Sequence, residues 1–231
     1  MNIPGQTNIL AIDTATEACS AALLCQGTIT ARFELAPRRH AELILPMADA
    51  LLAEAGIKLN QLDALAFGCG PGAFTGVRIA TGVVQGLALA ADLPVITVSN
   101  LAALAQTQTA EQVAAAFDAR MGDVYWGLFR RDTDGCMRCA EEQVCRPEAV
   151  PVPDNGNWLG AGSGWTTYRD LLQTRFGQKL TAIAAAAWPT AAAMLEIAVV
   201  DHAAGKGRPA ADVRPVYLRN DVAKTSQKAL V

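Results

Sequence analysis

The chain has 231 residues, of which 52% are hydrophobic and 18% are charged, and its formal net charge is −3. This composition supplies a full apolar core and excludes a disordered chain. The slightly acidic balance argues against a free-standing nucleic-acid binder, because phosphate neutralisation needs clustered Lys and Arg side chains. No run of about 18 strongly apolar residues is evident, so we expect no membrane span. Six cysteines without a signal peptide are typical of a reducing compartment, which predicts a cytoplasmic protein.

A disordered leader is expected at residues 1–7, followed by an α/β domain at residues 8–105. The pattern of short apolar runs and tight turns predicts three antiparallel strands at its start. A helix follows, in which Leu43, Met47 and Leu51 share one face, and Gly56 ends it. The predicted strands are residues 8–13, 19–25, 28–35, 64–67 and 94–98. A further helix at residues 77–91 and a last one, capped by Ser99 and ending at residue 105, complete this domain.

A second α/β domain is expected at residues 106–231. Its predicted strands are residues 113–117, 123–131, about 140–145 and 158–161, and its predicted helices are residues 165–176 and 190–204. Both halves begin with a strand meander, which favours a duplicated architecture. The tail after about residue 213 is expected to pack back on the first domain.

A glycine-rich segment at residues 68–78, which we call the glycine segment, lies between a predicted strand and a predicted helix. Such a segment presents backbone N–H groups to an anion, or it forms a compact corner. It literally matches the dinucleotide pattern, but its strand is the fourth of the chain and Pro71 interrupts it. No Gly-Lys-Ser/Thr follows, which excludes a P-loop. Thr75 is predicted to cap the helix, and Arg78 to hold a phosphate or a carboxylate.

Two carboxylates lie at equivalent strand ends, Asp13 in the first half and Asp118 in the second. An acidic residue beside hydroxyls in such a turn can hold Mg²⁺ and phosphate through water, or it can form an ordinary capped turn. If the two turns face one cleft, they form a nucleotide clamp. The candidate nucleotide or phosphate contacts are therefore Asp13, Thr14, Gly70, Gly72, Thr75 and Asp118.

Small residues recur at four-residue spacing in the second predicted helix, at Gly82, Gly86 and Ala90. A glycine inside a helix costs roughly 1 kcal/mol relative to alanine, so close packing should offset this cost. The pattern alone leaves two interpretations open. In one, this row of small residues packs against the chain's own sheet. In the other, it receives a helix of a partner protein.

Metal binding and nucleophilic catalysis have little support in the sequence. Cys136 and Cys139 form a single CxxC pair, and the chain contains only two histidines. No Gly-x-Ser-x-Gly motif is present. We therefore predict no metal site and no catalytic residue.

Several segments, taken in order, closely resemble the bacterial TsaB (YeaZ) family over residues 8–219. The specific one is Gly70-Pro-Gly-Ala-Phe-Thr-Gly-Val-Arg78. The others are Ile9-Leu-Ala-Ile-Asp-Thr-Ala-Thr-Glu-Ala-Cys-Ser20, His40-Ala-Glu-Leu-Ile-Leu-Pro46, Asp118-Ala-Arg-Met-Gly-Asp-Val-Tyr125 and Pro215-Val-Tyr-Leu-Arg219. The resemblance implies the two-domain fold of actin, sugar kinases and Hsp70, with a reduced second domain.

The resemblance also implies a non-catalytic role in making threonylcarbamoyladenosine beside the anticodon of tRNAs that read codons beginning with A. Members act with the catalytic paralogue TsaD and the ATPase TsaE, and they contact tRNA only through the complex. TsaD-like proteins bind a metal through a His-x-x-x-His pair, whereas this chain has His40 and Ile44. No intrinsic cofactor is expected, although ATP or ADP at an interface shared with TsaD is compatible with the resemblance.

The partner surface is expected on the first domain, with a C₂ homodimer through the same surface when TsaD is absent. The predicted interface residues are His40, Leu43, Met47, Leu51, Arg78, Gly82, Gly86 and Ala90. Two alternatives remain open at this point. One is an independent ATP-using phosphotransferase with Asp13 and Asp118 beside the phosphates, and the other is a peptidase that acts on TsaD.

Overall fold

The structure, a computed structural model, describes residues 7–219. Most of the leader predicted at residues 1–7, and the end of the chain from residue 220, lie outside the described residues. The described part contains two five-stranded sheets, each covered by helices. We call the first sheet with its helices the first lobe and the second sheet with its helices the second lobe.

The first sheet is formed by five strands in the order β3-β2-β1-β4-β5. Its strands are β1 Ile9–Asp13, β2 Ala18–Cys25, β3 Thr28–Leu35, β4 Ala64–Gly68 and β5 Val95–Val98. The first three pair antiparallel, as the tight turn at Gln26 and Gly27 predicts. β4 and β5 add parallel to β1, and both are almost fully buried, as their unbroken apolar sequences indicate.

The second sheet repeats this arrangement. Its strands are β6 Gln112–Asp118, β7 Val124–Arg131, β8 Met137–Cys145, β9 Trp158–Ala161 and β10 Leu180–Ala184. The spatial order of these strands is β8-β7-β6-β9-β10, which matches the order β3-β2-β1-β4-β5 of the first sheet. The first three strands again pair antiparallel, and the last two pair parallel. The predicted duplication is confirmed. In the second lobe, only a short 3₁₀ turn at Pro147–Ala149 lies between the third and fourth strands, where the first lobe has a long helix.

Six α-helices cover the sheets. They are α1 His40–Ala55, α2 Phe74–Ala91, α3 Asn100–Gln106, α4 Ser163–Thr167, α5 Arg169–Phe176 and α6 Ala191–Ala203. α1 and α2 pack side by side on one face of the first sheet, and α6 packs on the other face. α3 contacts both α6 and the second sheet, so these two helices lie in the core between the lobes. α6 thus packs on the first sheet, although it follows residue 106, at which the second domain was expected to begin.

The sequence predicts the end of a helix correctly where the capping residue lies next to that helix in the chain. Gly56 ends α1 in the left-handed conformation, with φ at 67°. The Ser99 hydroxyl accepts hydrogen bonds from the N–H groups of Leu101 and Ala102, so Ser99 caps α3 as predicted.

Three predictions about elements are wrong. The helix expected at residues 165–176 is broken at Tyr168, whose φ of −120° separates α4 from α5. β10 is missing from the predicted strands, because its alanine-rich sequence shows only weak alternation and it is held by pairing with β9. α2 begins at Phe74 rather than residue 77, so Thr75 is its second residue and not its cap.

Candidate functional site

A cavity of about 800 Å³ lies between the two lobes. The turn after β1 and the glycine segment form its wall on the first lobe. The turn after β6 and the start of α4 form its wall on the second lobe, and residues 216–219 also line it. The two turns predicted to carry a nucleotide clamp therefore do face one cavity.

Asp13 ends β1 but does not line this cavity, and it is fully buried. Its Oδ1 accepts hydrogen bonds from the Ala15 N–H at 3.1 Å and from Asn100 Nδ2 at 2.7 Å. Its Oδ2 has no hydrogen-bond partner among the described residues. Burial raises the pKa of Asp13 to about 6, and the hydrogen bonds from Ala15 and Asn100 partly offset this effect.

The hydroxyls of the same turn are engaged in local hydrogen bonds. Thr14 Oγ1 donates to the Gly76 carbonyl at 2.6 Å, and this side chain is fully buried. Thr16 Oγ1 accepts from the Ala18 N–H at 3.2 Å. These bonds fix the turn to α2 and to β2, which is the ordinary structural use of such residues.

Asp118 does line the cavity, and its carboxylate is hydrogen-bonded within its own turn. Its Oδ1 accepts from the Arg120 N–H at 2.8 Å, and its Oδ2 accepts from Arg120 Nη1 at 3.1 Å. The Tyr168 hydroxyl lies 3.4 Å from Oδ1. A carboxylate with these partners has little capacity left for a metal ion or a base role.

The glycines of the glycine segment serve close backbone packing. A Cβ atom on Gly72 would lie 2.4 Å from the Ala15 carbonyl oxygen, and one on Gly76 would lie 2.0 Å from that of Thr14. Gly70 has φ at 113°, and its N–H donates to Asn100 Oδ1 at 2.8 Å. The segment is a compact corner against the turn after β1, which is one of the two interpretations of the sequence.

The residues present do not fit the phosphates of a nucleotide held by this chain alone. The backbone of Thr14 and Ala15 fills the space over the glycines, and Asp13 lies behind it. Thr75 is exposed on α2 outside the cavity lining, and the Ala15 carbonyl instead accepts from the N–H of Ala73, the cap residue. The groups predicted to bind phosphate are engaged in the fold or lie outside the cavity lining.

The histidine at the first metal position of TsaD-like proteins is also inside the fold. His40 is the first residue of α1, it is buried, and its Nε2 has no hydrogen-bond partner within residues 7–219. Ile44 is fully buried in the core of the first lobe. Across the described part of the chain, no three His, Cys, Asp or Glu side chains are grouped to hold a metal ion.

The remaining predicted interface residues lie on α1 and α2, with different exposures. Leu51 is fully buried against the first sheet, so it supports α1 and is dropped from the proposed interface. Leu43 and Met47 are half-buried beside the same core. Arg78, Gly82, Gly86 and Ala90 are all exposed along one side of α2, which we call the open face of α2.

Within the part of the chain that the structure describes, no other element packs on the open face of α2. A Cβ atom placed on Gly82 or Gly86 would meet no atom of these residues within 4 Å. Beside them, Leu89 is 71% exposed. The structure therefore decides against the first interpretation of these glycines, packing against the chain's own sheet.

The expectation that the chain has no apolar run of membrane-spanning length does not hold for α2. With a mean hydropathy of 1.3 over 18 residues, this helix is long and apolar enough to cross a membrane by length and composition. Its buried side packs on β4 and β1, as in a core helix of a globular domain.

Residues 213–219, which we call the terminal segment, belong to the tail that was expected to pack back on the first domain, and the sequence did not predict their link to the second lobe. The Val216 N–H donates to the Cys69 carbonyl at 2.7 Å, and Gln85 Nε2 donates to the Val213 carbonyl at 3.0 Å. At its end, Arg219 Nη2 donates to Asp123 Oδ2 at 2.8 Å in the turn after β6. The segment thus ties the two lobes together across the cavity, and the only signal for it was the motif Pro215-Val-Tyr-Leu-Arg219.

Comparison with known proteins supports one family throughout. The family model described as TsaD, tRNA N6-adenosine threonylcarbamoyltransferase, matches residues 33–227. The tRNA threonylcarbamoyladenosine biosynthesis protein TsaB of Escherichia coli K12 is 47% identical over 228 residues, covering 93% of this chain and 96% of the relative. The protein of the same name from Haemophilus influenzae is 46% identical over 227 residues, covering 93% and 94%.

A solved structure agrees with these relatives. YeaZ from Pseudomonas aeruginosa superposes with a TM-score of 0.87 at 50% identity, covering 92% of this chain and all of that chain. The duplicated sheets form the two-domain fold of actin, sugar kinases and Hsp70 that the sequence resemblance implies. The chain belongs to the TsaB (YeaZ) family.

Proposed function

We propose that this chain is a non-catalytic subunit in the biosynthesis of threonylcarbamoyladenosine, beside the anticodon of tRNAs that read codons beginning with A. It acts in the cytoplasm by forming a heterodimer with TsaD, to which TsaE adds, and it meets tRNA only through the complex. Support for the pathway comes from the names of the two bacterial relatives and of the matching family model.

Support for a non-catalytic role comes from the two turns that face the cavity. Asp13 is fully buried and held by Asn100, and Asp118 is paired with Arg120. A phosphotransferase needs such carboxylates to face the metal and the phosphates. His40 is buried and its Nε2 contacts no hydroxyl or thiol within hydrogen-bond distance among residues 7–219, which weighs against a peptidase.

One observation carries the partner role, namely the open space over Gly82 and Gly86. These glycines destabilise α2 by roughly 1 kcal/mol each relative to alanine. Because no atom of residues 7–219 lies within 4 Å of their missing Cβ positions, nothing in the described fold offsets this cost, which favours a partner as the source of the packing gain. Glycines on a helix surface let a second helix approach closely, as small residues do at tight helix–helix contacts.

The same face supports a homodimer when TsaD is absent. Leu89 is exposed at one end of it, and the small residues leave the backbone of α2 accessible. Two copies related by a twofold axis would bury this surface, because an isologous contact uses one self-complementary patch. The homodimer and the heterodimer then compete, so each weakens the other.

Any ATP or ADP would bind where this chain and TsaD meet, with groups supplied by both proteins. The chain by itself has its cavity-facing carboxylate and hydroxyls engaged in its own fold. Thr75 is exposed at the start of α2 and is the one predicted phosphate contact that could face such a shared site. We therefore expect no nucleotide binding by the isolated chain at millimolar concentration.

The pathway assignment is tested by depleting the protein in its own cells and quantifying modified nucleosides from total tRNA by mass spectrometry. We expect threonylcarbamoyladenosine to fall, and plasmid-borne wild-type protein to restore it. Asp118→Asn should restore it as well, because the carboxylate has no chemical role here, whereas Gly86→Leu should not.

Two results would contradict the proposal in different ways. An unchanged level of the nucleoside on depletion removes the pathway role. Failure of Asp118→Asn, with the variant folded and bound to TsaD, would instead favour the phosphotransferase, because only that reading requires the carboxylate.

A further inference from the structure

Arg78 is the sole charged residue of α2, and it lies at the end of the open face nearest the cavity. Its guanidinium Cζ lies 3.6 Å from the centroid of the Phe74 ring and 5.7 Å from that of Tyr217. Its Nε donates a hydrogen bond to the Tyr217 hydroxyl at 2.8 Å. Both rings are partly open to solvent, at 51% and 41% exposure.

These contacts fix the guanidinium before any partner arrives. An exposed arginine usually samples many rotamers and loses that freedom on binding. Here the attraction between cation and aromatic ring and one hydrogen bond already hold it. The aromatic rings themselves lie in contact, with centroids 5.7 Å apart, so the three side chains form one cluster.

The cluster is anchored to the fold from both sides. Phe74 is the first residue of α2 and lies within the glycine segment, which packs against the turn after β1. Tyr217 belongs to the terminal segment, whose neighbour Val216 is hydrogen-bonded to the Cys69 carbonyl. The position of Arg78 therefore depends on the terminal segment being seated against the first lobe.

Among the described residues, the terminal nitrogens of Arg78 have no hydrogen-bond acceptor. Within residues 7–219, no carboxylate lies within 4.0 Å of this side chain, and its only hydrogen bond is made by Nε. Two other arginines at the cavity differ, since Arg120 is paired with Asp118 and Arg219 with Asp123. An ordered guanidinium with free Nη groups is suited to a planar anion, which it binds through two parallel hydrogen bonds.

We infer that Arg78 is the anion-recognition residue of the open face of α2 and that it takes a carboxylate side chain of the partner protein. The inference rests on the proposed function, because it concerns the surface assigned there to the heterodimer. It adds the chemistry of the contact, an Asp or Glu on the partner helix opposite the first turn of α2.

A protein carboxylate fits this surface better than an RNA phosphate. Nucleic-acid backbones are bound by several clustered cations, and α2 offers one. The next turns of the same face carry Gly82, Gly86 and Leu89, which suit a packed helix and supply no charge. One arginine beside a small apolar face is typical of a protein interface, where arginine is enriched among the residues that dominate affinity.

The test measures the affinity of purified TsaD for variants of the full chain by titration. Arg78→Ala should weaken binding roughly 10-fold to 100-fold, as expected for a charge-assisted hydrogen-bonded pair. Arg78→Lys should recover little, because an ammonium lacks the planar fork. Arg169→Ala, an exposed arginine on α5, is the matched control and should bind like wild type.

Tyr217→Phe separates recognition from ordering, because it removes only the hydroxyl that accepts from Arg78. We expect a loss of a few-fold, smaller than that of Arg78→Ala. A charge swap identifies the carboxylate of TsaD that Arg78 contacts. Arg78→Glu should lose binding, and changing that one Asp or Glu of TsaD to Arg should restore it.

The outcomes distinguish this inference from the function on which it rests. If wild-type protein does not bind TsaD, the proposed function fails. If wild type binds, Gly86→Leu abolishes binding, and Arg78→Ala stays within about twofold of wild type, the inference alone fails. The inference also fails if Arg78→Ala loses binding to tRNA in the absence of TsaD while its binding to TsaD is unchanged.

Discussion

Replacing the glycines of α2 by alanine tests whether the fold or the partner requires them. A Cβ atom on Gly82 or Gly86 would point into open space, whereas one on Gly76 would lie 2.0 Å from the Thr14 carbonyl oxygen. All three positions lie in α2, and each is changed from glycine to alanine. The difference that matters is which atoms the new methyl group contacts.

The expected effects have opposite signs. Gly82→Ala and Gly86→Ala should each stabilise the isolated chain by about 0.8–1 kcal/mol, because alanine restricts the unfolded chain and favours the helix. For a chain of this size, such a gain raises Tm by roughly 2–4 °C. Gly76→Ala should destabilise by about 1–3 kcal/mol or more, since the backbone of the buried turn must move.

The assay is thermal and urea unfolding of the three variants beside wild type. It is run at a concentration at which sedimentation shows monomer, because a homodimer would cover the open face. If Gly82→Ala and Gly86→Ala destabilise the monomer as Gly76→Ala does, the face is not free and the partner argument loses its basis. A gain in stability accompanied by weaker binding to TsaD would show that these glycines serve association at the expense of the monomer.

Two further predictions concern the turns beside the cavity. Arg219→Ala removes the bond to Asp123 and should speed hydrogen exchange in residues 119–123. Arg169→Ala, which removes an exposed arginine on α5, is the control and should leave this exchange unchanged. Equal exchange in both variants would contradict a tie between the lobes. Asp13 has a pKa raised to about 6 in the folded state, so the folded chain binds more protons than the unfolded chain between about pH 4 and 6. The free energy of unfolding should therefore rise as the pH falls from about 7 to 4.5, relative to Asp13→Asn, and parallel pH profiles of the two proteins would refute the assignment.

The sequence predicted elements whose causes are local. The meander of β1 to β3 follows from short apolar runs on either side of the tight turn at Gln26 and Gly27, and the start of α3 follows from the hydroxyl of Ser99. The start of α2 was misplaced because its first anchor is the Ala15 carbonyl, far away in the chain. β10 escaped detection because pairing with β9, rather than its own pattern, makes it a strand.

The site was predicted in position but not in chemistry. The sequence placed Asp13 and Asp118 at the ends of equivalent strands, and the turns that follow do face one cavity. It did not show that Asn100, 87 residues away, donates a hydrogen bond to Asp13, or that Arg120 pairs with Asp118. The contact of Tyr217 with Arg78 spans 139 residues, and no local pattern encodes it.

The most direct test of the central claim is the affinity of TsaD for wild-type protein and for Gly86→Leu, measured by calorimetry on folded, purified proteins. A leucine at this exposed position adds bulk where no atom of residues 7–219 lies within 4 Å of the new Cβ, so the variant should fold. We predict that wild type binds and that Gly86→Leu does not bind measurably. Equal affinity of the two proteins would contradict the account, because the open face of α2 could then not be the surface that receives the partner.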